Sequence, residues 1–248
     1  MLPKVDLSDI ADELTRLGDE IQRAYEDSEQ AVDPAPQVSL SGFAQLLDAV
    51  RAGEADSHGG SAQLLRAATG AEPDALLDHG LGLLRQLAEV ARRLNQESHA
   101  QAVEVLVVPF TCWMLRRGAE LQHPEEVVSA LATLANSLEE PDELAELYGL
   151  MDEIADGIGA DRIQGMDPTD PTDPWLILLI NRGIVATRSH QPALMEAAFD
   201  AIGEQLPDHA PYFFREGMGQ METLNYPTQV RELMQRYFDK WCSGQRLH

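Results

Sequence analysis

Five prolines recur from residue 73 onward at intervals of 36, 32, 33 and 37 residues. Each is followed eight or nine residues later by a glycine. Proline suits the first turn of a helix, where its missing N–H has no helical partner, so the pattern predicts a series of helix starts. The prolines are Pro73, Pro109, Pro141, Pro174 and Pro211, and the glycines are Gly82, Gly118, Gly149, Gly183 and Gly219.

Three segments, 109–138, 174–206 and 211–241, align as repeats. In each, an aromatic residue directly follows the first proline, and a second proline (Pro124, Pro192 or Pro227) starts an amphipathic return helix. A period of 32–37 residues built from helical hairpins resembles the α-solenoid class, which includes tetratricopeptide and HEAT-like repeats. The predicted fold is therefore all-α, with stacked helical hairpins. The alternative is a non-repetitive helical bundle.

Two features refine this prediction. The run "PWLILLI" is far shorter than the roughly 20 apolar residues of a membrane span, so we interpret it as an inner helix flanked by repeats, with a buried strand as the alternative. A glycine at a fixed depth in a helix weakens that helix, so its recurrence predicts a close helix crossing. We expect such crossings at Gly118 and Gly183.

An amphipathic helix is predicted near the amino terminus, because apolar residues recur there at spacings of three and four. We expect it to pack on the body of the chain, and a weak homodimer is the alternative. The segment 33–37 is interpreted as a linker, followed by a helix from about Ser41 to Ala52. The predicted domains are 1–58 and 59–248, with an acidic loop at about 158–173 in place of one return helix. The apolar positions are Leu7, Ile10, Leu14, Leu17, Ile21 and Ala24.

Acidic residues dominate the charge, with 42 Asp and Glu against 18 Lys and Arg and a formal net charge of −24. Residues 1–58 carry −9 and residues 139–173 carry −11. Such a field repels phosphate backbones and anionic lipid and attracts basic proteins. We therefore expect no direct nucleic-acid or membrane binding. An acidic mimic of nucleic acid stays open as an alternative, and the expected location is the cytoplasm.

Chemical motifs give little guidance. The chain lacks a Gly-rich phosphate loop, a G-x-S-x-G elbow and an H-E-x-x-H helix, so no cofactor or metal is predicted. Asp167, Asp170 and Asp173 could contribute to a Ca²⁺ site, but three carboxylates fall short of the six to eight oxygens that Ca²⁺ takes. A stiff acidic linker is the favoured interpretation, and a helical enzyme with a buried small-molecule or metal site is the catalytic alternative.

The predicted function is protein–protein interaction or assembly scaffolding, because stacked hairpins form an extended binding surface. Polar side chains near the aligned glycines form the predicted partner-binding site. Arginine binds carboxylates bidentately and asparagine can hold a peptide backbone, so this site would suit an acidic side chain or a chain terminus. Its residues are Arg116, Arg117, Asn181, Arg182 and Arg215.

Overall fold

The computed structural model describes residues 2–28, 32–55, 62–159, 163, 165, 167 and 169–242. Helices account for its regular structure. Among the described residues, β-type pairing is confined to an isolated parallel bridge between Leu121 and Ile158. The helices are α1 (Leu7–Glu26), α2 (Pro36–Ala55), α3 (Ala62–Thr69), α4 (Pro73–Arg93), α5 (Glu97–Val105), α6 (Val107–Leu115), α7 (Glu125–Ser137), α8 (Pro141–Gly157), α9 (Pro174–Arg188), α10 (Pro192–Gln205), α11 (Ala210–Thr223) and α12 (Thr228–Cys242). The all-α prediction is confirmed.

Four of the five recurring prolines mark helix starts, whereas Pro109 is the third residue of α6. Pro73, Pro141 and Pro174 are the first residues of α4, α8 and α9, and Pro211 is the second residue of α11. At α9 the preceding Asp173 also caps the helix, because its side chain accepts hydrogen bonds from the backbone N–H groups of Trp175 and Leu176. A proline in the first turn and an aspartate before it are both local signals, which explains why the sequence predicts these boundaries well.

Two compact units divide the chain. The N-unit comprises residues 3–133 and 153–162, and the C-unit comprises residues 1–2, 134–152 and 163–248. In the N-unit, α1 packs against α2, α5 and α6, while α4 packs against α2 and α5. In the C-unit, α9 packs on α10 and α11 on α12, so the two aligned segments at 174–206 and 211–241 are helical hairpins. The predicted boundary at residues 58–59 lies outside the described residues.

The amino-terminal helix packs on the N-unit as expected. Five of its six predicted apolar positions, Leu7, Ile10, Leu14, Leu17 and Ile21, are buried, and Ala24 is half-buried. The second helix begins at Pro36, five residues before the predicted Ser41, so most of the segment interpreted as a linker is helical or directly precedes the helix.

The glycines fulfil the crossing prediction at one position and contradict it at another. A β-carbon built on Gly183 would lie 2.6 Å from Cζ of Phe213, so this glycine does sit at a close crossing. Gly118 does not: it follows the end of α6 with φ +83°, a left-handed conformation that ends the helix and that glycine adopts readily. Gly149 and Gly219 have no neighbour within 4 Å of an added β-carbon.

The core of the C-unit is aromatic. Phe199 on α10 makes edge-on contacts with Phe213, Phe214 and Tyr237, with ring centroids 5.1–5.6 Å apart. The hydroxyl group of Tyr237 donates a hydrogen bond of 2.8 Å to Asp200, which satisfies the polar end of this ring. These contacts hold α11 against α10 and α12.

Candidate functional site

The five predicted site residues are divided between the two units, with two in the N-unit and three in the C-unit. Arg116 and Arg117 belong to the N-unit, and both contact neighbouring groups there. Arg116 forms a bidentate pair with Glu153, with Nε–Oε1 and Nη2–Oε2 distances of 2.8 and 2.9 Å. Arg117 stacks on the Trp113 ring, with Cζ 3.3 Å from the ring centroid. Both side chains therefore have intramolecular partners.

The other three residues, in the C-unit, face different directions. Arg182 is only 8% exposed and donates hydrogen bonds to Asp152 and to the hydroxyl group of Tyr148. Arg215 is exposed on α11, and Asn181 lines a groove between α9 and α11. The structure thus does not bring these three side chains together on one surface. Whether any of the five binds a partner stays a prediction.

The groove between α9 and α11 has a volume of roughly 720 Å³. One stripe of each helix forms its walls, because residues three and four apart share a helix face. Met234 of α12 and Tyr226 complete the lining, and Pro171 stands at one end. The α9 wall consists of Leu176, Ile177, Ile180, Asn181, Ile184, Thr187 and Arg188. The α11 side consists of His209, Tyr212, Phe213, Glu216, Gly217, Gln220, Met221 and Leu224.

Exposed apolar side chains concentrate at this groove. Among the described residues, four large apolar side chains are classed as exposed, and three of them line it: Ile184 (41% exposed), Tyr212 (66%) and Leu224 (50%). The fourth, Val38, is on α2 in the N-unit. A contiguous apolar patch rimmed by polar groups marks interaction surfaces more often than scattered exposed residues do.

Two close approaches shape the groove. Gly183 lets α9 pack tightly on Phe213, which therefore stands between the two walls. Gly217 allows Met234 to approach the backbone of α11, because an added β-carbon would lie 2.6 Å from its sulfur atom. Both glycines bring apolar side chains into the groove lining.

The rim carries more free negative than free positive charge. Glu216 is exposed in the middle of the α11 wall, with no ion pair among the described residues. The guanidinium group of Arg188 donates hydrogen bonds to the main-chain carbonyl groups of Ala135 and Leu138 at the end of α7. The groove thus combines an apolar lining with one unpaired carboxylate group in the middle of its α11 wall.

A smaller polar cleft of roughly 190 Å³ adjoins one end of the groove and shares Arg188, Leu224 and Tyr226 with it. Glu139 and His190 also line this cleft, and the His190 ring contacts Tyr226 edge-on with centroids 5.5 Å apart. Burial raises the pKa of the Tyr226 hydroxyl, so this group stays protonated and can donate a hydrogen bond at neutral pH.

The aspartates of the Asp-Pro segment have local hydrogen-bond partners. Asp167 and Asp170 accept hydrogen bonds from the backbone N–H and hydroxyl groups of Thr169 and Thr172, which lowers the pKa of each carboxyl group. Asp173 caps α9. In the part of the chain that the structure describes, no three Asp, Glu, His or Cys side chains are grouped so that they could hold a metal ion.

Sequence reasoning missed the apolar wall of α9. It interpreted "PWLILLI" as buried on both sides, whereas Ile177 and Ile180 are half-buried and Ile184 is exposed. The signal was the excess of apolar residues around this helix, which the sequence alone assigns equally well to a core or to a binding surface.

None of the helices in the described ranges combines the length and apolar character needed to span a bilayer.

Comparison with known proteins does not add to these observations. No protein-family model matches the chain, and no match is found among curated proteins or among solved structures.

Proposed function

We propose that the protein binds another protein, and that the groove between α9 and α11 receives a helical segment of that partner. The observation that carries the proposal is the convergence of Ile184, Tyr212 and Leu224, all exposed, on this one surface. Full burial of an apolar side chain of this size contributes about 1.5–3 kcal/mol, and these three side chains have roughly half of their surface left to bury. A ligand that covers all three side chains therefore gains binding energy, because it removes from water apolar surface that is exposed in the unbound protein.

The form of the groove favours a helix as the ligand. Its α11 side extends from His209 to Leu224, which is about 22 Å along a helix axis at 1.5 Å per residue. The α9 wall from Leu176 to Arg188 extends about 18 Å. Two helical walls of this length accommodate three to four turns of an amphipathic helix, whose apolar residues at i, i+3, i+4 and i+7 would enter between them.

A small apolar molecule is the rival ligand, because the groove volume falls within the usual range of about 300–1,000 Å³ for ligand sites. Such sites enclose about 70–90% of the ligand surface. This groove is rimmed by side chains that are themselves 41–66% exposed, so it is an open trough. An open trough suits a ligand that remains partly in water, as a docked helix does.

The test uses a fluorescently labelled 15-residue helical peptide with Leu at the apolar positions and Gln at all others. Its affinity is measured by fluorescence anisotropy for the parent protein, for Ile184→Gln and for the matched control Val38→Gln, which changes an exposed apolar residue of the N-unit. We expect Ile184→Gln to weaken binding about tenfold and Val38→Gln to leave it unchanged.

Two outcomes contradict the proposal. Equal affinities for the two variants would place peptide binding elsewhere. A parent protein that dimerises in sedimentation experiments, with the dimer lost in Ile184→Gln and retained in Val38→Gln, would show that the groove receives a second copy of this chain.

A further inference from the structure

We infer that the helix received by the groove is basic, with a lysine or arginine on the flank of its apolar face at the level of Glu216. This inference rests on the proposed function and specifies the chemistry of the partner. The apolar lining of the groove binds the apolar face of the partner helix. The charged residues around the groove determine which charged residues are favoured on the flanks of that helix.

Glu216 is the central observation. It lies seven residues from His209 and eight from Leu224, so it stands midway along the α11 wall, about 10–12 Å from either end of the groove. Its side chain is exposed and has no ion pair among the described residues. A cation carried on the flank of a docked helix would therefore meet, at this point, a carboxylate group that has no ion pair among the described residues.

Both ends of the groove are acidic as well. At one end, Pro171 lines the groove and Asp170 directly precedes it, exposed and held ionised by the hydrogen bonds from Thr172. At the other end, Glu139 lines the adjoining polar cleft.

The positive groups nearby do not reverse this balance. The guanidinium group of Arg188 is hydrogen-bonded to two carbonyl groups at the end of α7, where the helix dipole is negative. Arg215 directly precedes Glu216 on α11 but is not part of the groove lining.

Charge also separates this ligand from the other candidates. A fatty acid or another anionic amphiphile would bring its negative charge to a rim that is already acidic. A second copy of this chain would bring a net charge of −24 toward the same charge. Like-charge contacts of this kind oppose association, whereas a basic partner is steered to the site and associates faster at low salt.

The test uses three labelled 15-residue peptides with identical Leu positions and with Gln, Lys or Glu at all other positions. We expect the Lys peptide to bind the parent protein about tenfold more tightly than the Gln peptide, and the Glu peptide to bind more weakly than both. The Glu216→Gln variant should weaken the Lys peptide about two- to fivefold, the effect of losing one exposed ion pair, and leave the Gln peptide unchanged.

The matched control is Glu222→Gln, which removes the same charge from an exposed position of the same helix outside the groove. At physiological salt the screening length is about 8 Å, so this variant should change the affinity of the Lys peptide much less than Glu216→Gln does. The charge reversal Glu216→Lys should narrow the difference between the Lys and Glu peptides. Circular dichroism verifies that each variant is folded.

The possible outcomes test separately whether the groove binds a helix and whether that helix is basic. If the Gln peptide binds and the Lys peptide binds no tighter, the groove is a helix site and the basic partner is overturned. The basic partner is also overturned if Glu216→Gln and Glu222→Gln have equal effects, because attraction would then come from the overall charge alone. If none of the three peptides binds, the proposed function itself is overturned.

Discussion

Gly183 on α9 lies directly against the ring of Phe213 on α11. A β-carbon added to Gly183 would lie 2.6 Å from Cζ of Phe213 and 2.7 Å from Cδ1 of Ile202. Real β-carbons do not approach other atoms this closely, so glycine is required for the two first helices of the C-unit hairpins to meet at this distance. Phe213 also lines the groove, so this contact forms part of its lining.

Replacing Gly183 with Leu should therefore overpack the contact and lower the free energy of unfolding by about 1–3 kcal/mol. The matched control is Gly149→Leu, because Gly149 is also helical but has nothing within 4 Å of an added β-carbon. This control should be neutral or slightly stabilising, since leucine has the higher helix propensity. Urea denaturation measures both, and equal midpoints for the two variants would contradict the close crossing.

Gly118 should respond to substitution for a different reason. Its φ of +83° disfavours any residue with a β-carbon, and the added atom would also lie 3.2 Å from Cβ of Ala62. We expect Gly118→Ala to destabilise the protein by about 1 kcal/mol and Gly118→Asn to cost less, because asparagine tolerates the left-handed region. If thermal or urea unfolding showed Gly118→Ala to be more stable than Gly118→Asn, the left-handed conformation of Gly118 would not be the cause of its effect on stability.

The helix starts could be predicted from the sequence because they depend on local chemistry. Pro141 and Pro174 suit the first position of a helix, since proline has the φ angle of a helix and its missing N–H has no helical partner there. The linker at 33–37 was mispredicted by the same rule, because two prolines close together indicate both a turn and a helix start, and Pro36 is in fact the first residue of α2.

The close crossings and the groove could not be predicted in the same way. Gly80 and Gly217 pack against Phe110 and Met234, whereas Gly82 and Gly219, two residues farther along, meet little or nothing. Two residues are about 200° apart around a helix, so choosing between them requires knowing which face meets a neighbour. The exposure of Ile184 depends in the same way on where no other helix packs.

The two arginines paired with successive residues of α8 should differ in their contribution to stability. Arg182 is buried and bound to Asp152 and Tyr148, whereas the side chain of Arg116 is 48% exposed beside Glu153. We expect Arg182→Ala to lower the free energy of unfolding by about 2–3 kcal/mol, through lost packing and hydrogen bonds.

Arg116→Ala should cost less than about 1 kcal/mol, since an exposed ion pair contributes little. Chemical denaturation of the two variants in parallel provides the comparison. A larger loss for Arg116→Ala than for Arg182→Ala would show that burial does not decide the contribution of these pairs.

The two cysteines should differ in reactivity. Burial raises the pKa of the Cys112 thiol to about 12, while Cys242 is half-buried at the end of α12. The thiolate is the reactive form, so Cys112 in the folded protein should react slowly with a disulfide reagent between pH 7 and 9. In a Cys242→Ser variant, we expect the reaction to be at least about 100-fold slower in buffer than in urea. Equal rates in the two conditions would show that Cys112 is accessible in the native state.

The same shift predicts an alkaline effect on stability. The folded thiol holds its proton up to a higher pH than the unfolded thiol, whose pKa is about 8.5, so the folded state binds more protons above that pH. Stability should then decline as the pH rises from about 8.5 toward 12, and Cys112→Ala should remove this part of the decline. Urea midpoints measured at pH 8 and pH 10.5 test the prediction, which an unchanged pH dependence in the variant would contradict.

Deletion of residues 1–32 should leave the N-unit with an uncovered apolar surface. Five side chains of α1, from Leu7 to Ile21, are buried in the N-unit, and Glu20 forms a hydrogen bond of 2.5 Å with His99 of α5. Burial of each such side chain contributes about 1.5–3 kcal/mol, so the five represent a large share of the roughly 5–15 kcal/mol that stabilises a domain.

We therefore expect the shortened protein to have reduced solubility and a lower unfolding midpoint. The control deletion of residues 1–5 retains Asp6, whose side chain caps α1, and should change neither property. Sedimentation distinguishes this arrangement from the homodimer alternative. A parent dimer that becomes a well-behaved monomer on deletion of residues 1–32 would show that α1 joins two chains, because a helix needed to cover its own unit cannot be removed without exposing apolar surface.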